Sequence, residues 1–384
     1  MKNLHVFIDA AVVTTLTLLM SLLLVSVLSD VLSLESSEQK GYEMEDIYSR
    51  IAAKRTVRKL NPDIVVVSID KCSRVDIANL IDGIALCEPK CIGLDVFFEY
   101  PTGDDQNLIS AISECENIVL PVTIEYEPSG SNFILGKESY FYPLLDSLHT
   151  GVVNFPADDG RVIRKIRPFF GNMDSFSAAL CRMASPEKYQ KLLKRGNEFE
   201  TINFTASEFQ EYDAFEIIDS EGYLRENTVE LLRDRIVLIG ETDGFMDRHT
   251  TPADPIMPGI VVHAKALDTM LYGGYVKKSG RFLNILLAMV CCFLFSFLNL
   301  KAKYSKNWGN LGALGIRGLQ LSLIYLFLLI GSSAFVCGGI YFDFSIAVVM
   351  MCNTAIFADI WMGIKELIKK LPKFAKSIIC KFKK

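Results

Sequence analysis

Histidine, tryptophan and charged residues are scarce in this sequence. Its 384 residues include four His and two Trp, and only 22% are Asp, Glu, Lys or Arg. Half of the residues are apolar, which excludes a disordered polar chain and argues against a purely soluble protein. The formal net charge of −5 also argues against a nucleic-acid-binding protein.

Motifs of catalysis and of metal or cofactor binding are missing as well. The sequence has no Gly-x-Ser-x-Gly elbow, no His-Glu-x-x-His helix and no phosphate-binding Gly-Lys-Ser/Thr loop. Segment 240–244 is glycine-rich but lacks the spacing of a dinucleotide fingerprint, and no Cys-x-x-Cys pair or His-rich spacing predicts zinc or a redox centre. We therefore expect no enzyme, no cofactor and no metal site.

Long apolar runs are present, and four of them reach the length of about 20 residues that a membrane-spanning helix needs. They cover residues 10–29, 282–300, 318–342 and 344–364, and only the last contains a charged residue, Asp359. The first run is too long for the apolar part of a cleaved signal peptide, so we expect an uncleaved anchor. The predicted divisions are an N-terminal transmembrane anchor (1–29), an extracytoplasmic domain (30–280), three transmembrane helices (281–364) and a basic cytoplasmic tail (365–384).

The Lys and Arg residues of the short loops predict the orientation. The loop between the second and third runs has four basic residues and no acid, whereas the next link carries only Asp343. The basic residues of that loop are Lys301, Lys303, Lys306 and Arg317. This pattern predicts a multi-pass inner-membrane protein with both termini in the cytoplasm and the large domain outside.

Two further charged features are expected at the inner face. Asp9 and Asp359 fall near the inner ends of the first and last spans, where we expect them to pair with lysines such as Lys2 or Lys365. The tail alternates basic and apolar residues, which predicts contact with anionic lipid, or alternatively with a cytoplasmic partner. The lysines expected at the membrane surface are Lys365, Lys369, Lys370, Lys373 and Lys376.

Residues 29–280 are acidic, with 26 Lys and Arg against 41 Asp and Glu, a net charge of −15. Such a domain repels nucleic acid and weakly favours cations or basic ligands, although an acidic surface also serves solubility alone. Its five cysteines are Cys72, Cys87, Cys91, Cys115 and Cys181. We interpret them as small buried side chains, with a Cys87–Cys91 disulfide as the alternative.

Short β-branched runs alternate with helical periodicity along this domain. The predicted buried strands are Ile64–Ile69, Cys91–Phe98, Ile118–Ile124 and Arg235–Gly240. The predicted helices are Arg74–Cys87, Asp104–Cys115, Phe176–Met183, Pro186–Arg195 and Ile260–Leu271. The alternation predicts an α/β domain with a mainly parallel sheet.

An Asp-Gly turn interrupts the alternation. Residues 157–161 separate Gly151–Phe155 from Val162–Phe169, and an Asp-Gly pair between two such runs predicts a β-hairpin. Arg161 and Arg164 belong to this hairpin, where we interpret them as solvated charges, with an anion site as the alternative.

Four motifs together resemble the CHASE-type sensor domain of the second subfamily, whose name abbreviates cyclases/histidine-kinases-associated sensory extracellular. The motifs are Asp63–Asp70 (DIVVVSID), Ile92–Phe98 (IGLDVFF) with Pro101 and Asp105, Gly151–Ile166 (GVVNFPADDGRVIRKI) and Arg235–Leu271 (RIVLIG…DRHTTP…MPGIVVHAKALDTML). Their order matches throughout, over roughly residues 40–275 of this chain.

The resemblance implies a sensor domain that is followed by three membrane spans and a cytoplasmic output domain, such as a kinase or a nucleotide cyclase. Here Lys365–Lys384 is too short for a catalytic fold, so we expect a stand-alone member that signals through a separate protein. Segment Lys71–Asp76 is also shorter than the family's loop and lacks its second acid and its Trp-Pro-rich part. Related receptors are expected to act as dimers, and Ala334 and Gly338 form a small-xxx-small pair that permits close helix contact.

Candidate ligand residues follow from the predicted sheet. Open parallel sheets bind ligands at the carboxyl ends of their strands. The residues at or near those ends are Asp70, Asp95, Glu241, Asp247, Arg248 and His249. Helix capping or loop bracing is the alternative for Asp70 and Asp95, and His263 is interpreted as a core histidine rather than a metal ligand.

Two functions from different classes fit these observations. The first is a membrane-bound receptor subunit that detects a small-molecule or protein signal outside and relays it through its transmembrane helices to a separate effector. The alternative is a non-signalling envelope scaffold or assembly protein whose outer domain binds protein partners. Neighbouring genes for a kinase, cyclase or peptidase-like effector favour the first, and cell-wall or secretion genes favour the second.

Overall fold

The computed structural model describes residues 2–35, 44–55, 59–126, 133–156, 162–244, 247–304 and 310–381. The chain forms two compact units, Gly41–Val276 and Met1–Lys40 with Lys277–Lys384. The described helices are α1 (Lys2–Glu35), α2 (Met44–Arg55), α3 (Arg74–Leu86), α4 (Asp105–Glu114), α5 (Phe176–Ala184), α6 (Pro186–Arg195), α7 (Ala214–Ile217), α8 (Thr228–Leu232), α9 (Gly259–Tyr272), α10 (Arg281–Tyr304), α11 (Asn310–Gly338) and α12 (Ser345–Lys381).

The described strands are β1 (Lys59–Ser68), β2 (Cys91–Leu94), β3 (Ile118–Val122), β4 (Ile124–Tyr126), β5 (Phe133–Leu135), β6 (Thr150–Val152), β7 (Lys165–Ile166), β8 (Phe169–Phe170), β9 (Met173–Asp174), β10 (Glu200–Thr201), β11 (Ser207–Asp213), β12 (Ile236–Gly240), β13 (Arg248–His249), β14 (Met257–Pro258), β15 (Lys277–Lys278) and β16 (Ile340–Tyr341). A short 3-10 helix covers Tyr142–Leu144.

A six-stranded sheet organises the unit Gly41–Val276. Its strand order is β11-β1-β12-β2-β3-β6, and every neighbouring pair is parallel. The predicted α/β fold with a parallel sheet is therefore confirmed. Because all six strands point the same way, the carboxyl ends of β12, β2, β3 and β6 lie at one edge of the sheet.

Helices cover both faces of this sheet, which explains its apolar strands. In β1, Val65 and Val67 pack into one core with α3 and α4, while Ile64 and Val66 pack into the other core with α5 and α9. All four side chains are fully buried. A strand with no polar alternation is the pattern expected when both faces are covered.

The position predicted for the hairpin is wrong. Thr150–Val152 forms β6, which pairs in parallel with β3, and Lys165–Ile166 forms β7, which pairs with β10. The Asp-Gly turn, residues 157–161, lies outside the described residues. Antiparallel hairpins occur instead at β4–β5 and β8–β9. Burial rather than the turn motif determines the pairing of this strand, since Val152 is only 1% exposed in the sheet.

Arg164 is not a solvated charge. Its Nε and Nη2 atoms donate to Oδ1 and Oδ2 of Asp46 at 3.1 and 2.8 Å, and the two side chains are 4% and 1% exposed. A buried guanidinium loses its hydration, and two hydrogen bonds to a carboxylate compensate for part of that loss. The pair fixes α2 against the segment that leads into β7. Arg161 lies outside the described residues.

The cysteines of this unit are free thiols, so the Cys87–Cys91 disulfide is not formed. Cys87, Cys91, Cys115 and Cys181 are buried, and Cys72 is half-buried. The interpretation as small buried side chains is confirmed for the four buried residues.

In the other unit, four described helices are long and apolar enough to cross a membrane. They contain Leu4–Leu23, Arg281–Tyr304, Leu314–Gly338 and Ser345–Lys370. Asp9 of α1 accepts hydrogen bonds from Lys365, Trp361 and Tyr304. Asp359 pairs with Lys303. The prediction that both acids pair with lysines is therefore confirmed. The partner of Asp9 is Lys365, one of the two lysines named for it.

The lysines predicted at the membrane surface are only partly described. Lys365 is bound to Asp9, Lys369 is exposed, and Lys370 lies 3.7 Å from Glu366. The side chains of Lys373 and Lys376 lie outside the described residues.

Candidate functional site

A cleft of about 920 Å³ opens at the carboxyl edge of the sheet. Its walls come from the segments that follow β2, β6 and β12, from the base of the β4–β5 hairpin and from α9. This edge is where open parallel sheets bind ligands. Five of the six predicted residues line the cleft, namely Asp95, Glu241, Asp247, Arg248 and His249.

Asp70 is placed differently, because it holds a neighbouring loop. Its carboxylate accepts hydrogen bonds from the backbone amides of Thr242, Asp243 and Gly244 at 3.2, 2.9 and 3.1 Å. Burial alone would raise the pKa of Asp70, but the hydrogen bonds from Ser68 and from the amides of Asp243 and Thr242 hold it below the usual value. This is the loop-bracing alternative, and it positions the loop that follows Glu241.

Asp95 is the most deeply placed acid of the cleft. Its amide donates to the carbonyl of Ile239 at 2.8 Å, so β12 fixes its backbone. Its side chain is 11% exposed, and its carboxyl group makes no hydrogen bond to any residue that the structure describes. Burial, together with the negative charge of Asp247, raises the pKa of Asp95 to about 7.

His263 of α9 faces Asp95, with Nε2 3.9 Å from Oδ2. The ring is stacked on Phe155 at a centroid distance of 4.3 Å and meets the edge of Phe176 at 5.1 Å. Burial lowers the pKa of His263 to about 3, although the charge of Asp247 opposes this, so the ring is neutral.

The tautomer of His263 follows from Ser177. The Ser177 hydroxyl donates to the carbonyl of His263 at 3.0 Å and lies 3.4 Å from Nδ1. Because the hydroxyl hydrogen is used, its oxygen is left to accept from Nδ1–H. We therefore assign the proton to Nδ1, which leaves Nε2 as an acceptor 3.9 Å from Oδ2 of Asp95. The sequence-based interpretation as a buried core histidine holds, and the ring is also part of the cleft wall.

Asp247 and His249 form a second pair in the cleft. Nε2 of His249 lies 2.8 Å from Oδ1 of Asp247, and the His249 ring meets the edge of Phe155 at 5.1 Å. Burial would raise the pKa of Asp247, but the hydrogen bond and charge of His249 hold it below the usual value. Asp247 is therefore a carboxylate over the neutral range.

Comparison with known protein families identifies the chain. The model of the CHASE2 domain matches residues 14–299. The chain belongs to the CHASE2 family. CHASE2 domains are extracytoplasmic sensor domains rather than catalytic ones. A search of curated proteins gave no match, and a search of solved structures gave none either.

Several residues of the CHASE2 cleft escaped the sequence-based prediction. Lys137 and Thr123 come from the base of the β4–β5 hairpin, and Asn154 and Phe155 follow β6. The signal for Asn154 and Phe155 was present in the sequence. Had Gly151–Phe155 been interpreted as a parallel strand instead of a hairpin arm, the rule of carboxyl ends would have selected both.

Among the residues that the structure describes, no group of three or more His, Cys, Asp or Glu side chains has the spacing of a metal site.

Proposed function

We propose that this CHASE2 protein is a receptor subunit that binds a ligand in the cleft and relays the binding through its transmembrane helices to a separate effector. The observation that carries the proposal is the cleft at the carboxyl edge of a parallel sheet, in a member of an extracytoplasmic sensor family. Two walls of the cleft are linked to the membrane helices. One leads along the chain to α10, and the other is joined by an ion pair to α2, which follows α1.

The first connection is α9. This helix contributes His263 to the cleft and begins at Gly259, beside Asp247. It ends at Tyr272, and the chain then continues through β15 to Arg281, where the first of the three C-terminal membrane helices begins. A ligand that changes the position of α9 thereby acts on the segment that enters α10.

The second connection is the Asp46–Arg164 pair. Ile163 lines the cleft, and the next residue, Arg164, holds Asp46 of α2. In the chain, α2 follows α1, the N-terminal apolar helix. A shift of one cleft wall is thus coupled by a buried ion pair to the helix that follows the first membrane span. A switching receptor requires that elements such as α2 and α9 adopt two alternative packings, and this is part of the proposal.

The basic residues support an orientation with both termini in the cytoplasm of an inner-membrane protein. The loop over residues 301–317 and the tail over residues 365–384 then face the effector, and the tail lysines contact anionic lipid. Homodimerisation through the membrane helices is part of the same proposal.

Crosslinking in cells tests the proposal. Tagged full-length protein is crosslinked, purified in mild detergent and compared by mass spectrometry with a variant that lacks residues 371–384 and a variant with Lys301 and Lys306 changed to Gln, both of which leave the Asp9–Lys365 and Lys303–Asp359 pairs in place. Recovery of a cytoplasmic effector that is lost from either variant supports the split receptor. Recovery of envelope proteins alone, unchanged in both variants, would favour a scaffold instead.

A further inference from the structure

The cations of the cleft are already engaged. Nζ of Lys137 pairs with Glu99 and lies 4.8 Å from the centre of the Phe97 ring. Arg248 donates from Nε to the carbonyl of Gly244 and from Nη1 to that of Ile256, both at 3.0 Å. An acid group on a ligand would compete with Glu99 for Lys137 and would meet an Arg248 that is already held by two carbonyls, so these cations are less available to an anion than free ones would be.

The acids of the cleft have the opposite character. The carboxyl group of Asp95 has no hydrogen-bond donor among the described residues, and neither has that of Glu241. The charged or titratable side chains that line the cleft are the acids Asp95, Glu99, Glu241 and Asp247 and the bases Lys137, Arg248, His249 and His263. The carboxyl oxygens of Asp95 and Glu241 can therefore still accept hydrogen bonds, and they carry negative charge when ionised.

The positions of Asp95 and His263 indicate which kind of hydrogen-bond donor would fit between them. Oδ2 of Asp95 and Nε2 of His263 are both acceptors when Asp95 is ionised, and they lie 3.9 Å apart. One nitrogen at ordinary hydrogen-bond lengths of about 2.8–3.0 Å from each acceptor spans this gap with an acceptor–nitrogen–acceptor angle of about 85°. The N–H bonds of a primary ammonium group diverge at the wider tetrahedral angle, so each hydrogen bond bends by about 12°, which stays within the usual range. A quaternary ammonium has no hydrogen to donate.

We propose that the CHASE2 cleft binds its ligand through a primary ammonium group that donates to both Asp95 and His263. The proposal rests on the proposed receptor function, because it names the ligand class of the same cleft. The volume of about 920 Å³ lies within the range of pockets for small organic molecules. Since Lys137 and Arg248 already have acceptors, an amine without an acid group fits the cleft better than a free amino acid does.

Calorimetric titration of the full-length protein in detergent tests the ligand class. The probes are 1,4-diaminobutane, its fully N-methylated quaternary analogue, and succinate as a dianion of similar length. We expect the diamine to bind and the quaternary analogue and succinate to bind at least about tenfold more weakly, since each lacks charge-assisted N–H bonds to Asp95 and His263.

Two variants locate the site. Asp95→Asn keeps the size of the side chain and removes its charge, and we expect at least about a tenfold loss of diamine affinity. Asp82→Asn is the matched control, because Asp82 is an exposed acid on α3 outside the cleft, and its affinity should equal that of the wild type. Wild-type titrations at pH 6.5 in buffers of different ionisation enthalpy add a readout without a variant, because ammonium binding to partly protonated Asp95 releases protons.

Each alternative result has a defined meaning. Diamine binding that Asp95→Asn leaves unchanged, without proton release, would overturn the proposed contact. Failure of the diamine to bind between pH 6.5 and 8.5 would overturn the ammonium class. If succinate bound instead and Arg248→Gln abolished its binding, the cleft would remain a ligand site for anions. The receptor function would survive that result, because the crosslinking experiment judges it separately.

Discussion

Asp247 occupies the space that a side chain on Gly259 would need. A Cβ atom at Gly259 would lie 2.0 Å from Oδ2 of Asp247 and 2.6 Å from its Cγ. The first residue of α9 is glycine, and this lets the carboxylate approach the start of the helix, where helix amides stabilise negative charge. The pair ties one wall of the cleft to the helix that leads towards the membrane segment.

Gly259→Ala should therefore disturb the cleft more than the fold. The carboxylate of Asp247 is the end of a side chain and can turn away, so we expect little change in melting temperature but a severalfold loss of ligand affinity. Titration with 1,4-diaminobutane measures the effect. Gly274→Ala is the control, because the nearest atom to its added Cβ is 3.7 Å away. In an Asp247→Ala background the Gly259→Ala effect should vanish, and its persistence there would exclude this contact as the cause.

The Asp95–His263 pair predicts two opposing pH effects on stability. Asp95 has an unfolded pKa of 3.8 and a folded pKa of about 7, so the unfolded chain ionises first and stability falls as the pH rises from about 4 to 7. For His263 the values are 6.5 and about 3, so the unfolded chain binds the extra proton and stability falls as the pH drops below about 6.5. The two trends offset each other in the wild type.

Asp95→Asn should remove the contribution of Asp95 to the pH dependence of stability and leave that of His263. Relative to the wild type, the variant should gain stability as the pH rises from about 4 to 7, by about 4 kcal/mol at most, and the difference should be constant above pH 7. Thermal unfolding of both full-length proteins between pH 4 and 8 measures the difference. A difference that does not change with pH would contradict the raised pKa of Asp95.

Removing one partner of the buried Asp46–Arg164 pair should be costly. Arg164→Leu leaves the Asp46 carboxylate without its guanidinium, and we expect a loss of about 3–5 kcal/mol in unfolding free energy. Denaturant titration followed by circular dichroism measures it. The control is Arg233→Leu, whose guanidinium is 57% exposed at 3.6 Å from Glu88 and should have no measurable effect. Equal effects of the two variants would mean that burial of the pair contributes little.

Asp9 should hold α1 against α10 and α12. Its carboxylate accepts from Lys365 at 2.6 Å, from Trp361 at 3.0 Å and from Tyr304 at 2.8 Å. Asp9→Leu removes these bonds and should destabilise the helix assembly by roughly 1–3 kcal/mol, measured by unfolding in mixed micelles of increasing dodecyl sulfate content. Asp359→Asn is the comparison, because that side chain is 68% exposed. The prediction fails if the two variants unfold at the same dodecyl sulfate content.

The sequence was most informative where local pattern and burial agree. The run Ile64–Val67 is β-branched throughout, and a strand covered on both faces requires this, so β1 could be predicted from composition alone. The same holds for β12, and the rule of carboxyl ends then selected Asp95 and Glu241. Asp70 satisfies the same rule, yet its side chain turns to the amides of residues 242–244, a contact between segments far apart in the chain.

Other features depend on distant partners and were not predictable. β11 has the sequence SEFQEYD, whose acids suit the exposed side of an edge strand but give no clear strand signal. The residues around Arg164 do not indicate that it forms a buried ion pair, because its partner Asp46 lies on a helix far upstream. The Asp-Gly turn indicated a hairpin, but pairing with β3 buries Val152 and stabilises the parallel arrangement instead.

The position of β12 has a consequence for how the domain forms in the cell. Ile236 pairs with both Ile64 and Cys91, so the last strand of the sheet to be synthesised lies between two of the first. During export, β1 and β2 therefore cannot pair with β12, which lies between them in the sheet, until nearly the whole domain has crossed the membrane. Contacts so distant along the chain make folding slow, and the open strand edges are exposed to other chains meanwhile. Assembly of this sensor domain is therefore expected to depend on chaperones outside the cytoplasm.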